Sequence, residues 1–470
     1  MTGSLAGLLA ANLLFLVIGA ELLPLLRIAR TRAELRTRLA LGYIVGVAAV
    51  GILAAHLALV DVPIGLVELV VLVVVLAWPA WRRVRALPEG VRRPARVGAL
   101  GILTFVAALV LLGHAARAFE VRPLVEWDGW AIWGTRARAL YDFGGAQHSV
   151  FTTAPYGPLQ HPLWLPALES IGFRAMGAYD GTLIHVQLAL LAIGFGAALW
   201  TLLTERVPAL FAGASVLAIA AADSVLRQLG GNLADIPLAF LVALAVVALA
   251  LWIRESDLTL LPFAALFLGA ATLTKPEGLL FAAAALVAAL AAGGVARLRG
   301  TLLAALAVAL ILLPWRIYIA VNHLKNPEYD LGDALSPSYL ADRSDRFRPA
   351  LAGVWHQVWS SGWGLLVPFA LVALAAALLA GRHRVAAFAA VWGALSFFGI
   401  VLIFWISVVP VELTLRWAAY RTVASLIIGA AALAPLLAGD AWLSAGGEAR
   451  AAFAARFPRL RAPRPSPRTR

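Results

Sequence analysis

Residues 235–253 read DIPLAFLVALAVVALALWI, one carboxylate followed by an apolar run that continues without interruption to Ile253. A helix needs about 20 apolar residues to cross the hydrocarbon core of a bilayer, and this run has the required length and no polar stripe. Runs of the same kind recur toward both termini, near 4–26, 39–60, 63–81, 97–117, 181–203, 208–226, 258–274, 278–296, 301–320, 363–381, 385–407 and 420–438. Together they predict an all-α polytopic membrane protein with about 13 transmembrane helices. Composition agrees: 62% of residues are hydrophobic and 13% charged, with a mean hydropathy of +0.88. A soluble domain carries about a quarter charged residues, so a soluble globular chain is excluded.

The 38 basic and 25 acidic residues leave a net charge of +13. In a soluble protein that excess would point to nucleic acid. Here the arginines fill short gaps between apolar runs, as positively charged cytoplasmic loops do, and no nucleic-acid partner is expected. The chain has no cysteine, which excludes disulfides, thiolate catalysis and Cys-ligated metal. The first run lacks a basic start and a small-residue cleavage site, and Arg27, Arg30, Arg32, Arg36 and Arg38 follow it. It therefore reads as a spanning helix entering the cytoplasm, not a cleaved signal.

Followed along the chain, this topology gives the cytoplasmic segments 24 arginines and the short outer ends four cations, Arg227, Lys275, Arg416 and Arg421. Residues 118–180 and 321–362 become long outer loops, and the C-terminus lies inside. Within the first loop, Pro162 to Gly177 is short for a span, opens with proline and carries Glu169 and Arg174. It is expected to be an interfacial helix on the outer leaflet. Were it a span, Arg297, Arg299, Arg382, Arg384 and the tail would all move outside. The expected organisation is thus 1–96, N-terminal extra helices; 97–440, a transmembrane module; and 441–470, a cytoplasmic Arg/Pro-rich tail, expected to be disordered, whose arginines fix the topology in preference to binding anionic headgroups. The Ala, Arg and Gly bias fits a GC-rich bacterial genome, hence a bacterial cytoplasmic membrane.

The residues with chemical potential lie at the predicted outer ends. Glu126-Trp127-Asp128 opens the first long loop. Two carboxylates spaced i, i+2 among aromatics can supply a general base and a second group to orient an acceptor or a cation; the same residues also suit a solvated aromatic belt. Trp133 to Tyr141 forms a short amphipathic helix candidate carrying Arg136 and Arg138, and His161, ahead of Pro162, reads as a polar cap or, less readily, as a contact for an anionic headgroup. Asp235 begins a span, where it can cap the helix or act as a functional carboxylate. Thr274-Lys275-Pro276-Glu277-Gly278 is a tight turn whose Lys275 can hold a phosphate, and Arg316, Arg416 and Arg421 add cations at the same level. Mid-span positions are almost free of charge, unlike a transporter with ionisable groups at the midplane.

With these motifs in order, the chain resembles the C-type (GT-C) polytopic glycosyltransferases, the superfamily of the dolichyl-phosphate-mannose protein O-mannosyltransferases and the aminoarabinose lipid A transferases. The resemblance rests on the acidic-x-acidic Glu126-Trp127-Asp128, the Tyr156 to Gly177 juxtamembrane segment, Asp235 at a span end, the Thr274 to Gly278 turn and the loop after Leu313-Pro314-Trp315-Arg316. It covers about residues 98–440, and the three helices ahead of that module depart from the family pattern. It implies inverting transfer of a sugar from a polyprenyl-phosphate donor to a cell-envelope glycan, lipid or protein acceptor at the extracytoplasmic face. Under that resemblance Asp128 is the expected base, with Glu126 beside it. Lys275, Arg316, Arg421, Arg136 and Arg138 are the expected phosphate ligands, and Asp235, His161 and Glu277 are supporting residues. A divalent cation such as Mg or Mn would have Glu126, Asp128 and Asp235 as its ligands. A transporter or flippase of lipid-linked sugars is the alternative reading.

Overall fold

The computed structural model describes residues 3–91, 98–119, 123–153, 159–326, 328–329, 332–333, 336–381 and 383–456. Among them the chain is entirely helical. The elements are α1 (Leu5–Leu25), α2 (Arg32–Arg38), α3 (Gly42–Ala58), α4 (Leu66–Arg85), α5 (Ala99–Phe119), α6 (Thr135–Phe143), α7 (Val150–Thr153), α8 (Trp164–Met176), α9 (Ile184–Thr204), α10 (Ala209–Ala221) and α11 (Asp223–Leu229). They continue with α12 (Asp235–Glu255), α13 (Leu260–Thr272), α14 (Glu277–Gly293), α15 (Val295–Val321), α16 (Pro337–Asp342), α17 (Ser344–Val358), α18 (Leu366–Leu379), α19 (His383–Ile406), α20 (Val411–Thr414), α21 (Tyr420–Thr422) and α22 (Ala424–Arg456).

Each expected apolar segment contains a helix, but not all are long, straight spans. Seven described stretches are long and apolar enough to cross a bilayer: α1, Arg32–Ala58, α9, α12, α15, α19 and Val411–Trp442. Two more pairs are bent, α10 with the α11 segment by 55° and the α17 segment with α18 by 106°, which raises the count to at most nine. α13 and α14 are shorter apolar helices. The figure of 13 crossings is not reached by helix length: nine is the count with each bent pair taken as one span, and the other four expected spans are α4, which does not qualify, and α5, α13 and α14, whose described apolar helices are only 10–17 residues long.

The run at 235–253 becomes the axis of the bundle. Every side chain from Asp235 to Ile253 is buried, and α9, α13, α14, α19 and α22 pack around it. A helix apolar on every side has no preferred face toward lipid, so surrounding it completely is the consistent solution. At about 1.5 Å per residue it carries Asp235 to one end of the bundle and Glu255 about 30 Å away to the other.

The N-terminal helices are not an appendage. α1 and α3 cross so closely that a Cβ on Gly46 would stand 1.8 Å from the Phe15 carbonyl oxygen, and one on Gly19 would stand 1.7 Å from that of Gly42. Such small-residue contacts are how helices associate in lipid. Asn12 then ties three helices together, donating to Gln187 Oε1 at 2.7 Å and accepting from the Tyr43 hydroxyl at 2.7 Å.

This pair encloses α8, which corrects the expectation of an interfacial helix. α8 packs against α1, α3, α6 and α9, and nearly all its residues, Glu169 included, are buried. Trp164 Nε1 donates to Ala48 O at 3.3 Å, and Ser4 N to Met176 O at 3.0 Å. A boundary at 96/97 therefore cuts through a packed unit. The C-terminal expectation changes as well: α22 remains helical through Arg456, and the rest of the 441–470 tail, with its terminal Pro/Arg stretch, lies outside the described residues.

The end of the bundle opposite Asp235 is tied by ion pairs. Arg38 meets Asp257 at 3.3 Å, Arg206 meets Glu255 at 3.0 Å, and Arg254 meets Asp440 at 3.0 Å.

Candidate functional site

At the Asp235 end, a cavity of about 610 Å³ opens among residues from seven separate stretches of the chain. Its charged lining consists of Glu126, Asp128, Lys275, Glu277, Glu328, Arg416 and Arg421, with His161, Tyr329 and Tyr420 among them.

Two short π-helical turns deliver the central pair. The first, Asp128–Gly134, follows the acidic motif; the second, Leu415–Ala419, precedes Tyr420 and Arg421. An extra residue in a helical turn rotates the side chains that follow, and such turns are frequent at functional sites. Arg421 Nη1 donates to Asp128 Oδ2 across the cavity.

The acidic turn rests on the segment leading into α12. A Cβ on Gly129 would fall 2.0 Å from Gly231 O, so this approach requires glycine at 129, and a Cβ on Gly231 would fall 2.6 Å from Glu126 Cγ and displace that side chain. Asn232, at φ 55°, completes the turn in the left-handed region. Asp235 follows, buried beneath the cavity floor, and accepts from Lys275 Nζ at 2.7 Å. Glu277 Oε1 stands 3.7 Å from the same ammonium. Burial disfavours the charge on Lys275, but Asp235 and Glu277 outweigh it and hold the ammonium above its ordinary pKa.

Several buried polar atoms here have no partner among the described residues: Arg421 Nε, Asp235 Oδ2, Glu277 Oε2 and His161 Nδ1. Orphaned polar atoms are costly, and their clustering marks a place built for a polar ligand or water. His161 is neutral; burial lowers its pKa well below the ordinary value, and the positive charges of Lys275, Arg136 and Arg421 lower it further.

Of the expected phosphate ligands, Lys275 and Arg421 reach the cavity and three do not. Arg316 is exposed on α15 and does not line the cavity. Its helical neighbours Trp315 and Tyr318 take the buried face instead. The Arg136 guanidinium donates to the carbonyl oxygens of His161 and Leu159, so it holds the loop that presents His161. Arg138 is exposed, paired with Asp142 at 3.3 Å and stacked over Tyr179. Glu126, Asp128, His161 and Glu277 line the cavity as expected residues, and Asp235 supports it through Lys275.

Two acids were not among the expected site residues. Glu328 enters the cavity from the second long loop, where no motif surrounds it. Glu169, fully buried on α8, has its carboxyl pushed up to about 8 by burial, offset in part by the Asn232 side chain. Its position between Leu168 and Ser170 is readable; its neighbours are not.

The trio Glu126, Asp128 and Asp235 is not gathered as a three-carboxylate cation site among the described residues. Asp128 is engaged by Arg421 and Asp235 by Lys275, and no group of three His, Asp or Glu among the described residues converges on one point. No protein-family model matches the chain, and neither a curated protein nor a solved structure gives a match.

Proposed function

We propose that this membrane protein is an inverting glycosyltransferase that moves a sugar from a polyprenyl-phosphate donor to an acceptor hydroxyl at the extracytoplasmic face. The observation that carries the reading is the pair of cations, buried Lys275 and largely buried Arg421, converging with carboxylates on one cavity at a bundle end. Displacement at an anomeric carbon needs cations for the departing phosphate and a base for the incoming hydroxyl. Before the donor arrives, Arg421 is occupied by Asp128 and Lys275 by Asp235 and Glu277. A docking phosphate takes over the guanidinium, whose Nε is still without a partner, and releases Asp128, the base expected from the sequence. Trp127, Trp130 and Trp417 are exposed around this end, placing amphipathic rings where a lipid-borne substrate would enter.

The test uses the full chain in lipid nanodiscs with sugar-labelled polyprenyl-phosphate donors and total membrane acceptors. Label should pass to an acceptor, and Arg421→Gln should slow transfer by about 10²- to 10³-fold, the scale of losing one charge-stabilising donor. If no donor is consumed while lipid-linked sugar moves between leaflets, the flippase reading replaces this one.

A further inference from the structure

The geometry points to Glu328, on the second long loop, as the group that takes the acceptor's proton, with Asp128 serving as the counter-ion that yields Arg421 to the donor phosphate. This rests on the glycosyltransferase reading and assigns a residue that the acidic-x-acidic motif does not contain.

Three observations lead to it. Glu328 lines the same cavity as Asp128, Lys275 and Arg421 but comes from a separate segment of the chain, between α15 and α16. A nucleophile must approach the anomeric carbon from the face opposite the leaving phosphate, and a carboxylate carried on a segment separate from Lys275 and Arg421 is free to serve that face. Secondly, Asp128 is engaged by the Arg421 guanidinium, whereas no ion pair holds the Glu328 carboxylate among the described residues. Its backbone is nevertheless fixed, because Glu328 O accepts from Val408 N at 2.8 Å at the end of α19. Thirdly, the groups that act on it favour proton uptake: although Glu328 is exposed to solvent, partial desolvation of its carboxyl and the negative charges of Glu277 and Asp128 raise its pKa, against the opposing pull of Lys275 and Arg421. A carboxylate raised toward the working pH is the better proton acceptor.

The step balances without a co-reactant. The acceptor O–H bond breaks as its proton passes to the Glu328 carboxylate, and the acceptor oxygen forms the new bond to the anomeric carbon. The carbon–oxygen bond to phosphate breaks at the same time, and its electron pair leaves on the polyprenyl phosphate between Arg421 and Lys275. Glu328 then gives its proton to water.

The experiment compares wild type, Glu328→Gln and Asp128→Asn in nanodiscs. It measures transfer from the labelled donor across pH, and separately the binding of sugar-free polyprenyl phosphate by tryptophan quenching. Thermal melting verifies that each variant is folded. Glu328→Gln should lose about 10²- to 10⁴-fold in kcat, the scale of a general base, with unchanged polyprenyl-phosphate binding. The wild-type rate should fall on the acid side at a pH above the ordinary carboxylate range, and the residual activity of Glu328→Gln should lack that limb. Wild-type turnover in Glu328→Gln, or an acid limb that survives in it and disappears in Asp128→Asn, overturns the assignment. Loss of polyprenyl-phosphate binding in Glu328→Gln overturns it also, by making Glu328 a binding residue. Absence of transfer by the wild type overturns the glycosyltransferase reading first, and this inference with it.

Discussion

A single buried acid, Glu169, shows how the site is supported from below. It is fully enclosed on α8, and Asn232, whose left-handed turn carries the acidic motif, lies beside its carboxyl. With its pKa raised to about 8, Glu169 is protonated in the fold at neutral pH and ionised in the unfolded chain. The sign follows from linkage: the folded state binds the extra proton, so the stabilisation is complete at pH below the ordinary glutamate range and declines as pH rises toward about 8. Thermal melting of the wild type should therefore weaken across that window, and Glu169→Gln, which keeps the shape without the proton, should remove this part of the slope. An unchanged slope in the variant would show that another group sets it. Lys275 and Arg421 are the contrasting case, a buried and a partly buried cation held by the distant acids Asp235 and Asp128, which no local sequence pattern pairs with them.

Among the elements, the crossing of α1 and α3 is the most exacting. Gly46 lies against the Phe15 carbonyl with no room for a Cβ, so Gly46→Val should force the helices apart and destabilise the fold by about 1–3 kcal/mol, the usual range for overpacking. A melting temperature equal to wild type would mean that the contact is looser than drawn. The consequence would reach α8, because the same two helices enclose it. The π-helical turns at Asp128–Gly134 and Leu415–Ala419 belong to this scale too: each sits beside one member of the Asp128–Arg421 pair and changes the direction of the side chains that follow.

For the whole molecule, the testable property is sidedness. Because the chain has no cysteine, single cysteines can be introduced without background. Cysteines at His148 and His356 should react with a membrane-impermeant reagent applied outside, and those at Arg299 and Arg384 only after permeabilisation. Equal labelling at all four positions would overturn the proposed topology. The cavity lies at the Asp235 end of α12, and the Arg206–Glu255 and Arg254–Asp440 pairs lie at the other, so the same labelling decides on which side of the membrane the cavity opens.

The all-helical membrane character was legible from apolar runs alone, because burial in a bilayer imposes length and composition on each segment independently of its neighbours. So were Glu126, Asp128, Lys275, Glu277 and Arg421 as a group, since each stands at the end of such a run. What tertiary structure alone decided is who meets whom. Hydropathy cannot tell lipid from protein as a surrounding, which is why α8 read as interfacial although α1 and α3 bury it. It cannot see which face of a helix turns inward, which is why Arg316 was expected in a cavity it does not line. Nor can it bring Glu328 to the cavity that Asp128 lines, because that approach depends on the long-range packing of a loop against the end of α19 and leaves no local mark in the sequence.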